Sequence, residues 1–346
     1  MKPSLSIIIP CRDEEKYVER CLKSVVEQDY PKEDMEVLVV DGMSKDKTRE
    51  IIKENFSQYP FIRILENPDK FTPFGLNIGI REAKGEIIAR MDAHATYEKD
   101  YLSKCVKYLK EREADNVGGI IKTLPGRETI MAKAIALCLS HPFGAGNSYF
   151  RIGSKEPQFV DTVFGGCYKR EVFEKIGYFN EKMIRSQDLE FNLRLRGSGG
   201  KILLVPDIVS YYYAQPTLLG FLKHNFLDGI WITYPLKFGV QAFSWRHLTP
   251  LAFVTVLFLS YLIGHFSTFF RFLFYFFTIF YILVNLYASF RVSERQKDLG
   301  YIFIMPFVFA IRHFAYAAGS LLGLSKVLIN LIKVVFRKPS VSEGNH

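Results

Sequence analysis

The chain has 346 residues, of which 49% are hydrophobic, and it carries a formal net charge of +9. This length accommodates one large domain with an additional part, or two modest domains. Its basic residues form no run typical of a nucleic-acid-binding arm and cluster around apolar segments, so we expect anionic lipid headgroups rather than nucleic acid as partners. The five cysteines are an odd number without C-x-x-C spacing, which argues against a disulfide framework or a zinc site and predicts free thiols in a reducing compartment.

The first two thirds of the chain alternate short apolar runs with amphipathic segments. Strands are predicted at residues 5–10, 35–40, 62–65, 87–91 and 117–121, and helices at 17–26, 48–55 and 101–112. Continuous apolar strands between such helices predict an α/β fold with a mostly parallel sheet covered on both faces. Ligands of such sheets bind at the carboxyl ends of the strands. The site is therefore expected just after Pro10, at Asp41 and at Asp92.

The last third of the chain has a different composition. Residues 247–270 and 272–290 contain no Asp, Glu, Lys or Arg, and each stretch approaches the roughly 20 residues that a membrane-spanning helix needs. We predict a hairpin of spans near 248–266 and 272–290, followed by a basic loop at 291–298 that the positive-inside rule places in the cytoplasm. The start of the chain shows no targeting segment, so the first domain is expected to be cytoplasmic as well.

A third apolar segment, 300–325, is ambiguous because Arg312 and His313 lie in its middle. A charge at the bilayer centre costs at least about 2.5–3.5 kcal/mol, and a span would place Lys326, Lys333, Arg337 and Lys338 outside, so a re-entrant or in-plane segment is favoured. Residues 217–245 mix aromatic and basic residues and fit an interfacial helix, with a core helix as the alternative. The predicted division is 1–213 for the catalytic domain, 214–246 for interfacial amphipathic helices, 247–325 for the transmembrane region and 326–346 for a basic tail.

Four polar clusters accompany the predicted strands and helices. Residues 10–15 follow the first strand; by themselves, Asp13 and Glu14 are typical of an ordinary helix start. Residues 40–48 place Asp41 at a strand end, where it is a candidate ligand for a base or ribose, whereas Asp46 and Thr48 fit caps of the next helix.

The third cluster places Asp92 and His94 one residue apart after a buried strand, where both could face one ion that bridges a diphosphate. Mg²⁺ prefers carboxylate and phosphate oxygens, and a histidine shifts the preference toward Mn²⁺. In the fourth cluster Asp188 opens a helix, either as a cap or as a general base, and Glu190 and Arg194 can pair within it. Upstream, Gly165 and Gly166 would allow close backbone approach to a bulky ligand, or form a simple turn.

Taken in order, these clusters resemble glycosyltransferase family 2. The family's strand-Pro-x-x-x-Glu matches Pro10 and Glu14, its V-D-D-G-S-x-D-x-T matches residues 40–48, its D-x-D matches 92–94 and its E-D matches 187–188. A further match to N-x-G-x-x-x-A-x-G lies at Asn77, Gly79, Ala83 and Gly85. Residues 90–94, His141-Pro-Phe-Gly-Ala-Gly-Asn147 and the C-terminal membrane part also resemble succinoglycan-type exopolysaccharide glucosyltransferases.

The resemblance implies a GT-A fold, Rossmann-like, followed by C-terminal transmembrane helices. It implies an inverting transfer from a nucleotide-sugar, UDP-glucose being an expectation of the narrower likeness, onto a lipid-linked saccharide hydroxyl, with Mg²⁺ or Mn²⁺ as cofactor. Asp188 would be the base, Asp92 and His94 would hold the metal and diphosphate, and Gly165 and Gly166 would line the sugar and acceptor site. The implied nucleotide-sugar ligands are Pro10, Arg12, Glu14, Asp41, Asn77 and Asp92.

The sequence departs from the family pattern at Gly42, His94 and Gln187, where the family carries Asp, Asp and Glu. No Q-x-x-R-W follows Asp188, so one sugar per encounter is favoured over polymerisation. Three alternatives remain: a polyprenyl-phosphate sugar transferase of the same fold, a sugar nucleotidyltransferase, and a non-catalytic membrane scaffold. The nucleotidyltransferase would need a Gly-rich loop after the first strand, which is missing. Residues 141–151 favour a lipid-linked saccharide acceptor over the lipid phosphate.

Overall fold

The structure, a computed structural model, describes residues 4–335. The strands are β1 (Leu5–Cys11), β2 (Met35–Asp41), β3 (Ile62–Glu66), β4 (Ile87–Arg90), β5 (Ala95–Tyr97), β6 (Asn116–Leu124), β7 (Gln158–Phe159), β8 (Cys167–Lys169) and β9 (Ile202–Tyr213). The helices are α1 (Val18–Val26), α2 (Thr48–Phe56), α3 (Thr72–Glu82), α4 (Tyr101–Glu111), α5 (Ile130–Leu139), α6 (Pro142–Ala145), α7 (Tyr149–Ile152), α8 (Arg170–Ile176), α9 (Gln187–Gly197), α10 (Leu218–Thr233), α11 (Thr249–Ile263), α12 (Thr268–Gln296) and α13 (Gly300–Val335). Short 3-10 turns occupy Lys32–Asp34, Tyr234–Phe238 and Trp245–Leu248.

The strands form one nine-stranded sheet in the order β3-β2-β1-β4-β8-β6-β9-β5, with β7 paired to β9. The β3, β2, β1 and β4 strands are parallel, as predicted, and β8 then pairs antiparallel with both β4 and β6. The sheet is therefore mixed. Because β1 lies between β2 and β4, the carboxyl ends of these strands meet at one edge.

Both faces of the sheet are covered, as the apolar runs predict. Ile7 and Ile9 of β1 belong to one core cluster with α1 and α4, whereas Ile8 points into the other with α3 and α9. The predicted apolar face of α1 is confirmed, since Val18, Cys21, Leu22 and Val25 are all buried. Such alternation follows from the two-residue period of a strand. All five cysteines are free and buried.

Within the part of the chain that the structure describes, three C-terminal helices are long and apolar enough to cross a membrane: Trp245–Ile263, Thr268–Gln296 and Gly300–Lys333. The first two form the expected hairpin around a short turn at residues 264–267. The predicted loop at 291–298 is wrong over most of its length, since α12 continues to Gln296. An ion pair between Arg291 and Glu294 (3.4 Å) and the basic Arg295 in the last turn stabilise this helix end.

The third apolar segment is one continuous helix, so the re-entrant alternative is wrong. Arg312 donates from Nε to the carbonyl of Gly144 (3.1 Å), and His313 lies 2.7 Å from the carbonyl of Phe143 through Nε2. Because protein groups partner both polar side chains, the cost that argued against a span is reduced. Placement in the membrane plane, the other alternative that the sequence favours, stays a prediction.

The α10 helix packs directly against α13. A Cβ placed on Gly229 would lie 2.0 Å from the Tyr316 carbonyl oxygen, and one on Gly319 would lie 2.0 Å from that of Phe226, so the two backbones touch. Leu219 and Trp245 stay exposed, which leaves the interfacial placement of 214–246 a prediction. The α13 helix extends ten residues past the predicted boundary at 325, to Val335, and Arg337 and Lys338 of the predicted tail lie outside the described residues.

Candidate active site

The ends of β1 and β2 carry two loops that are bonded to each other. Cys11 and Asp41 are register partners, and the backbone N–H groups of Asp13 and Glu14 donate to Ser44 Oγ (2.9 Å) and Thr48 Oγ1 (2.7 Å). The fully buried Asp41 carboxylate accepts from Ser44 Oγ at 2.5 Å and lies 3.6 Å from Arg49 Nε. Asp41 therefore orders the loop of residues 42–48.

The departure at Gly42 has a steric explanation. A Cβ at this position would lie 2.9 Å from the Lys70 carbonyl oxygen and 3.2 Å from Arg12 Cβ. Met43 follows with φ of 58°, in the left-handed region that side chains rarely occupy. A second aspartate at Gly42 would thus require the loop to shift.

Asp92 and His94 follow β4 and approach the first loop. His94 Nδ1 lies 3.0 Å from Glu14 Oε1, so residues far apart in sequence meet at the ends of adjacent strands. Burial lowers the pKa of His94, but the hydrogen bond with Glu14 and the charges of Asp92 and Glu14 outweigh it, and the pKa is raised. The imidazole is thereby held beside two carboxylates.

Arg90 links the two carboxylates to which the sequence assigns chemistry. Its Nη2 lies 3.2 Å from Asp92 Oδ1, and its Nη1 lies 3.7 Å from Asp188 Oδ2. Burial opposes the charged guanidinium, yet the charges of Asp92 and Asp188 raise the pKa of Arg90. The Nε and Nη1 atoms of this buried side chain have no hydrogen-bond partner among the described residues. Sequence reasoning gave Arg90 no role, although an arginine in a buried strand demands a charged partner.

Gly165 and Gly166 lie against Arg90, because β8 pairs with β4 immediately after them. Arg90 N–H donates to the Gly166 carbonyl at 2.9 Å, and φ is 66° at Gly165 and 111° at Gly166. A Cβ would lie 2.7 Å from the Arg90 carbonyl at the first position and 2.6 Å from Asn116 Oδ1 at the second. Both positions therefore require glycine for the fold of this turn, whatever else they contact.

Asp188 lies in the first turn of α9, where its Oδ1 accepts from Leu189 N–H at 2.9 Å. Its side chain is 32% exposed, which leaves it accessible beside the buried Arg90. The preceding Gln187 is buried, and the expected pair of Glu190 with Arg194 is confirmed at 2.9 Å. Asp188 thus combines accessibility with a fixed position.

The remaining predicted ligands differ in whether their side chains are accessible to a nucleotide-sugar. Arg12 is exposed and lies 3.7 Å from Asp13, and Pro10 lies beside Val40 in the β1–β2 register. Asn77 is buried, and both amide hydrogens are engaged, with the Phe179 carbonyl and Glu181 Oε1, each at 2.9 Å. Asn77 therefore holds the segment at 179–181, and its amide hydrogens are not available to a ligand.

Asp92 and His94 fit a metal ion that takes few of its ligands from the protein. Among residues 4–335, no group of three or more His, Cys, Asp or Glu side chains is placed to hold an ion. Asp92 and His94 can supply two donors, and Mg²⁺ and Mn²⁺ sites of this kind take their other ligands from substrate phosphates and water. The residues present therefore fit a metal that binds together with a diphosphate.

The chain belongs to glycosyl transferase family 2, whose model matches residues 6–177. The predicted family and enzyme class are confirmed. The chain is 32% identical to the dolichyl N-acetyl-alpha-D-glucosaminyl phosphate 3-beta-D-2,3-diacetamido-2,3-dideoxy-beta-D-glucuronosyltransferase of Methanococcus voltae, over 93% of this chain and 97% of that protein.

The narrower likeness is confirmed as well. The chain is 26% identical to the succinoglycan biosynthesis protein ExoA of Rhizobium meliloti (strain 1021), over 71% of this chain and 80% of the relative. Among solved structures, the mannosyltransferase PcManGT from Pyrobaculum calidifontis, in complex with GDP-Man and Mn²⁺, covers 93% of this chain and 88% of its own, with a TM-score of 0.61 and 19% identity. That likeness confirms the GT-A fold.

Proposed function

We propose that this protein is a membrane-bound inverting glycosyltransferase that transfers a sugar from a nucleotide-sugar to a hydroxyl of a lipid-linked saccharide. The observation that carries the proposal is the position of Arg90 between Asp92 and Asp188. It brings the carboxylate proposed for the donor's diphosphate next to the carboxylate proposed as base. A displacement needs both groups around one reacting carbon.

Asp188 is the proposed catalytic base. It would accept the proton of the acceptor hydroxyl as the oxygen forms its bond to the anomeric carbon and the nucleoside diphosphate leaves, with inversion. Arg90 would hold the Asp188 carboxylate in position until the acceptor arrives. A positioned base of this kind contributes a factor of about 10²–10⁴ in rate.

The loops after β1 and β2 are proposed to hold the nucleoside, with Pro10, Arg12 and Glu14 on one loop and Asp41 beneath the other. Asp92 and His94 would hold a divalent cation, Mg²⁺ or Mn²⁺, which when bound offsets the charge of the departing diphosphate.

Gly165 and Gly166 would let the sugar approach the backbone beside Arg90. Asn77 would act indirectly, through the segment it holds at 179–181. UDP-hexose, and UDP-glucose within that class, is the proposed donor.

A saccharide acceptor is favoured over a lipid phosphate. The Methanococcus voltae relative is named for transfer onto a dolichyl N-acetyl-glucosaminyl phosphate, and its match spans nearly the whole of both chains. The apolar helices support a multi-pass membrane protein with its catalytic domain on the cytoplasmic side. The competing proposal, transfer to polyprenyl phosphate itself, differs only in the acceptor.

The test uses the full chain purified in detergent, with release of nucleoside diphosphate as the readout. Panels of UDP- and GDP-sugars would be combined with a lipid-linked saccharide, polyprenyl phosphate or no acceptor. We expect turnover of one donor with the lipid-linked saccharide, and an inverted linkage in the product by NMR. Turnover with polyprenyl phosphate alone would establish the competing acceptor, and a retained linkage would exclude the single displacement.

A further inference from the structure

A cluster of basic side chains lies where the catalytic domain meets the apolar helices; it comprises Arg151, Arg185, His224 and Arg312, and we call it the junction cluster. Asp228 on α10 is its acidic member. Arg185 Nη1 lies 2.6 Å from Asp228 Oδ1, and His224 Nε2 lies 3.3 Å from Asp228 Oδ2. The single carboxylate of Asp228 is therefore shared by two of the four basic groups.

The other two members have no such partner. Arg151 lies over the ring of Tyr212 at 5.3 Å, and its Nη1 is buried without a hydrogen-bond partner among the described residues. Arg312 donates to the Gly144 carbonyl and to Asn225 Oδ1, and lies 5.4 Å from the ring of Tyr316. All of these partners are neutral. Neither guanidinium forms an ion pair with a carboxylate within residues 4–335.

The junction cluster thus carries excess positive charge in a partly buried place. Two carboxylates act on its three guanidinium groups: Asp228, which Arg185 and His224 already engage, and Asp188, whose charge reaches Arg151. Burying a charge without a counter-charge is costly, so buried charges are ordinarily paired. Burial lowers the pKa of Arg151 and the charge of Arg312 acts in the same direction, while Tyr212, Asp228 and Asp188 oppose them without reversing the shift. The missing partner is therefore an anion, such as a phosphate.

The position of the cluster indicates which anion this is. Tyr212 at the end of β9 contacts both His94 of the proposed donor site (centroids 5.8 Å apart) and Arg151, so the cluster borders the catalytic site. On its other side, Arg312 and Asn225 belong to α13 and α10, which pack together through Gly229 and Gly319. A ligand here has the catalytic carboxylates at one end and apolar helices at the other.

We propose that Arg151 and Arg312 bind the phosphate of a prenyl-phosphate-linked acceptor, and so place its saccharide at Asp188. The proposal rests on the proposed function, since it assumes a lipid-linked acceptor. Arginine suits this role because its planar group binds phosphate oxygens in a bidentate manner. The apolar tail would leave the cluster along α10 and α13, toward the exposed apolar side chains of α11 and α12.

The experiment measures binding of farnesyl phosphate to the full chain in detergent, without donor and with EDTA present. We expect Arg151→Gln to weaken binding by about ten-fold or more, since a charge-assisted hydrogen bond is lost. Arg291→Gln removes an exposed charge from the same membrane part and should leave binding unchanged. Arg312→Gln should weaken binding similarly, but it also removes the hydrogen bond to the Gly144 carbonyl. If Arg312→Gln fails to fold for that reason, Arg151→Gln is the variant that decides.

The competitors separate the sources of the anion. If farnesol binds as tightly as farnesyl phosphate, the site does not recognise phosphate. If dioleoylphosphatidylglycerol displaces farnesyl phosphate as well as unlabelled farnesyl phosphate does, the site binds lipid headgroups in general. If UDP displaces farnesyl phosphate, the site binds the diphosphate of the donor. Each of these outcomes overturns the proposal. Because the readout is binding, farnesyl phosphate binding without sugar transfer would leave this site standing while the proposed function fails. Transfer that is unaffected by Arg151→Gln would overturn the site alone.

Discussion

The Nη1 atom of Arg90 lies 3.7 Å from Oδ2 of Asp188, although β4 and α9 are separated by a long stretch of chain. The contact arises because β8 pairs antiparallel with β4 and is followed by α8 and α9, which return over the same edge of the sheet. A buried guanidinium between two carboxylates fixes their separation.

Asp188→Asn keeps the shape of the side chain and removes its ability to take a proton. We expect sugar transfer to fall by about 10²–10⁴-fold, with donor binding unchanged. Transfer rates and nucleotide affinity on the purified chain provide the measurement. Glu174→Gln, the same kind of change at an exposed residue of α8, is the control and should retain transfer; a fully active Asp188→Asn enzyme would remove Asp188 from the proposed role.

Arg90→Met removes the cation and leaves two carboxylates near each other without compensation. Breaking a buried ion pair in this way costs about 3–5 kcal/mol. We therefore expect a lowered Tm and a large loss of sugar transfer. Arg90→Lys should recover both in part, because lysine restores the charge but not the planar guanidinium group. An unchanged Tm in Arg90→Met would show that the pairing does not stabilise the fold.

Gly166→Ala should destabilise the protein through a steric clash, because its Cβ would lie 2.6 Å from Asn116 Oδ1 at a φ of 111°. Gly153→Ala is a matched control: φ is 88°, and no atom lies within 4 Å of the added Cβ. Both variants pay a backbone cost of about 1–3 kcal/mol. Thermal unfolding should show the greater loss for Gly166→Ala, and equal losses would mean that the turn relaxes around the added carbon.

Removal of divalent metal with EDTA should abolish transfer, and Mg²⁺ or Mn²⁺ should restore it. His94→Asp restores the family's usual residue, and we expect it to shift the preference from Mn²⁺ toward Mg²⁺ because a carboxylate replaces an imidazole. Rates measured against both ions in parent and variant give the comparison. Full activity in EDTA would contradict the assignment of a metal to Asp92 and His94.

His224 should contribute to acid sensitivity. Burial lowers its pKa and Asp228 opposes that effect, while Arg185, Arg312 and Arg151 act with burial. The unfolded chain, with an ordinary histidine pKa of about 6.5, then binds a proton more readily than the folded one. The resulting stability is present above that pH and is lost as the pH falls below it through the lower pKa of the folded state. Tm measured from pH 7.5 to 5 should fall less in His224→Gln than in the parent, and parallel curves would exclude this contribution.

Local sequence patterns predicted much of the secondary structure. The apolar runs of β1 and β2 and the apolar face of α1 predicted buried elements, because the periodicity of burial depends on neighbouring residues. The polar residues that close each strand, among them Asp41 and Asp92, likewise marked the edge where the structure brings Glu14 and His94 together. Register, strand order and the antiparallel β8 depend on packing between distant segments and were not available from the sequence.

The sequence by itself determined the family, the apolar C-terminal helices and the order of the acidic clusters, since each is a property of neighbouring residues. Only the tertiary structure decided that Arg90 lies between Asp92 and Asp188, that Asn77 is occupied by the segment at 179–181, and that Arg312 meets Gly144 and α10. The physical reason is that a charged side chain in a buried strand or an apolar helix predicts that a partner is present but does not identify which residue it is. The partner is chosen by the fold, which places segments far apart in the chain within hydrogen-bonding distance.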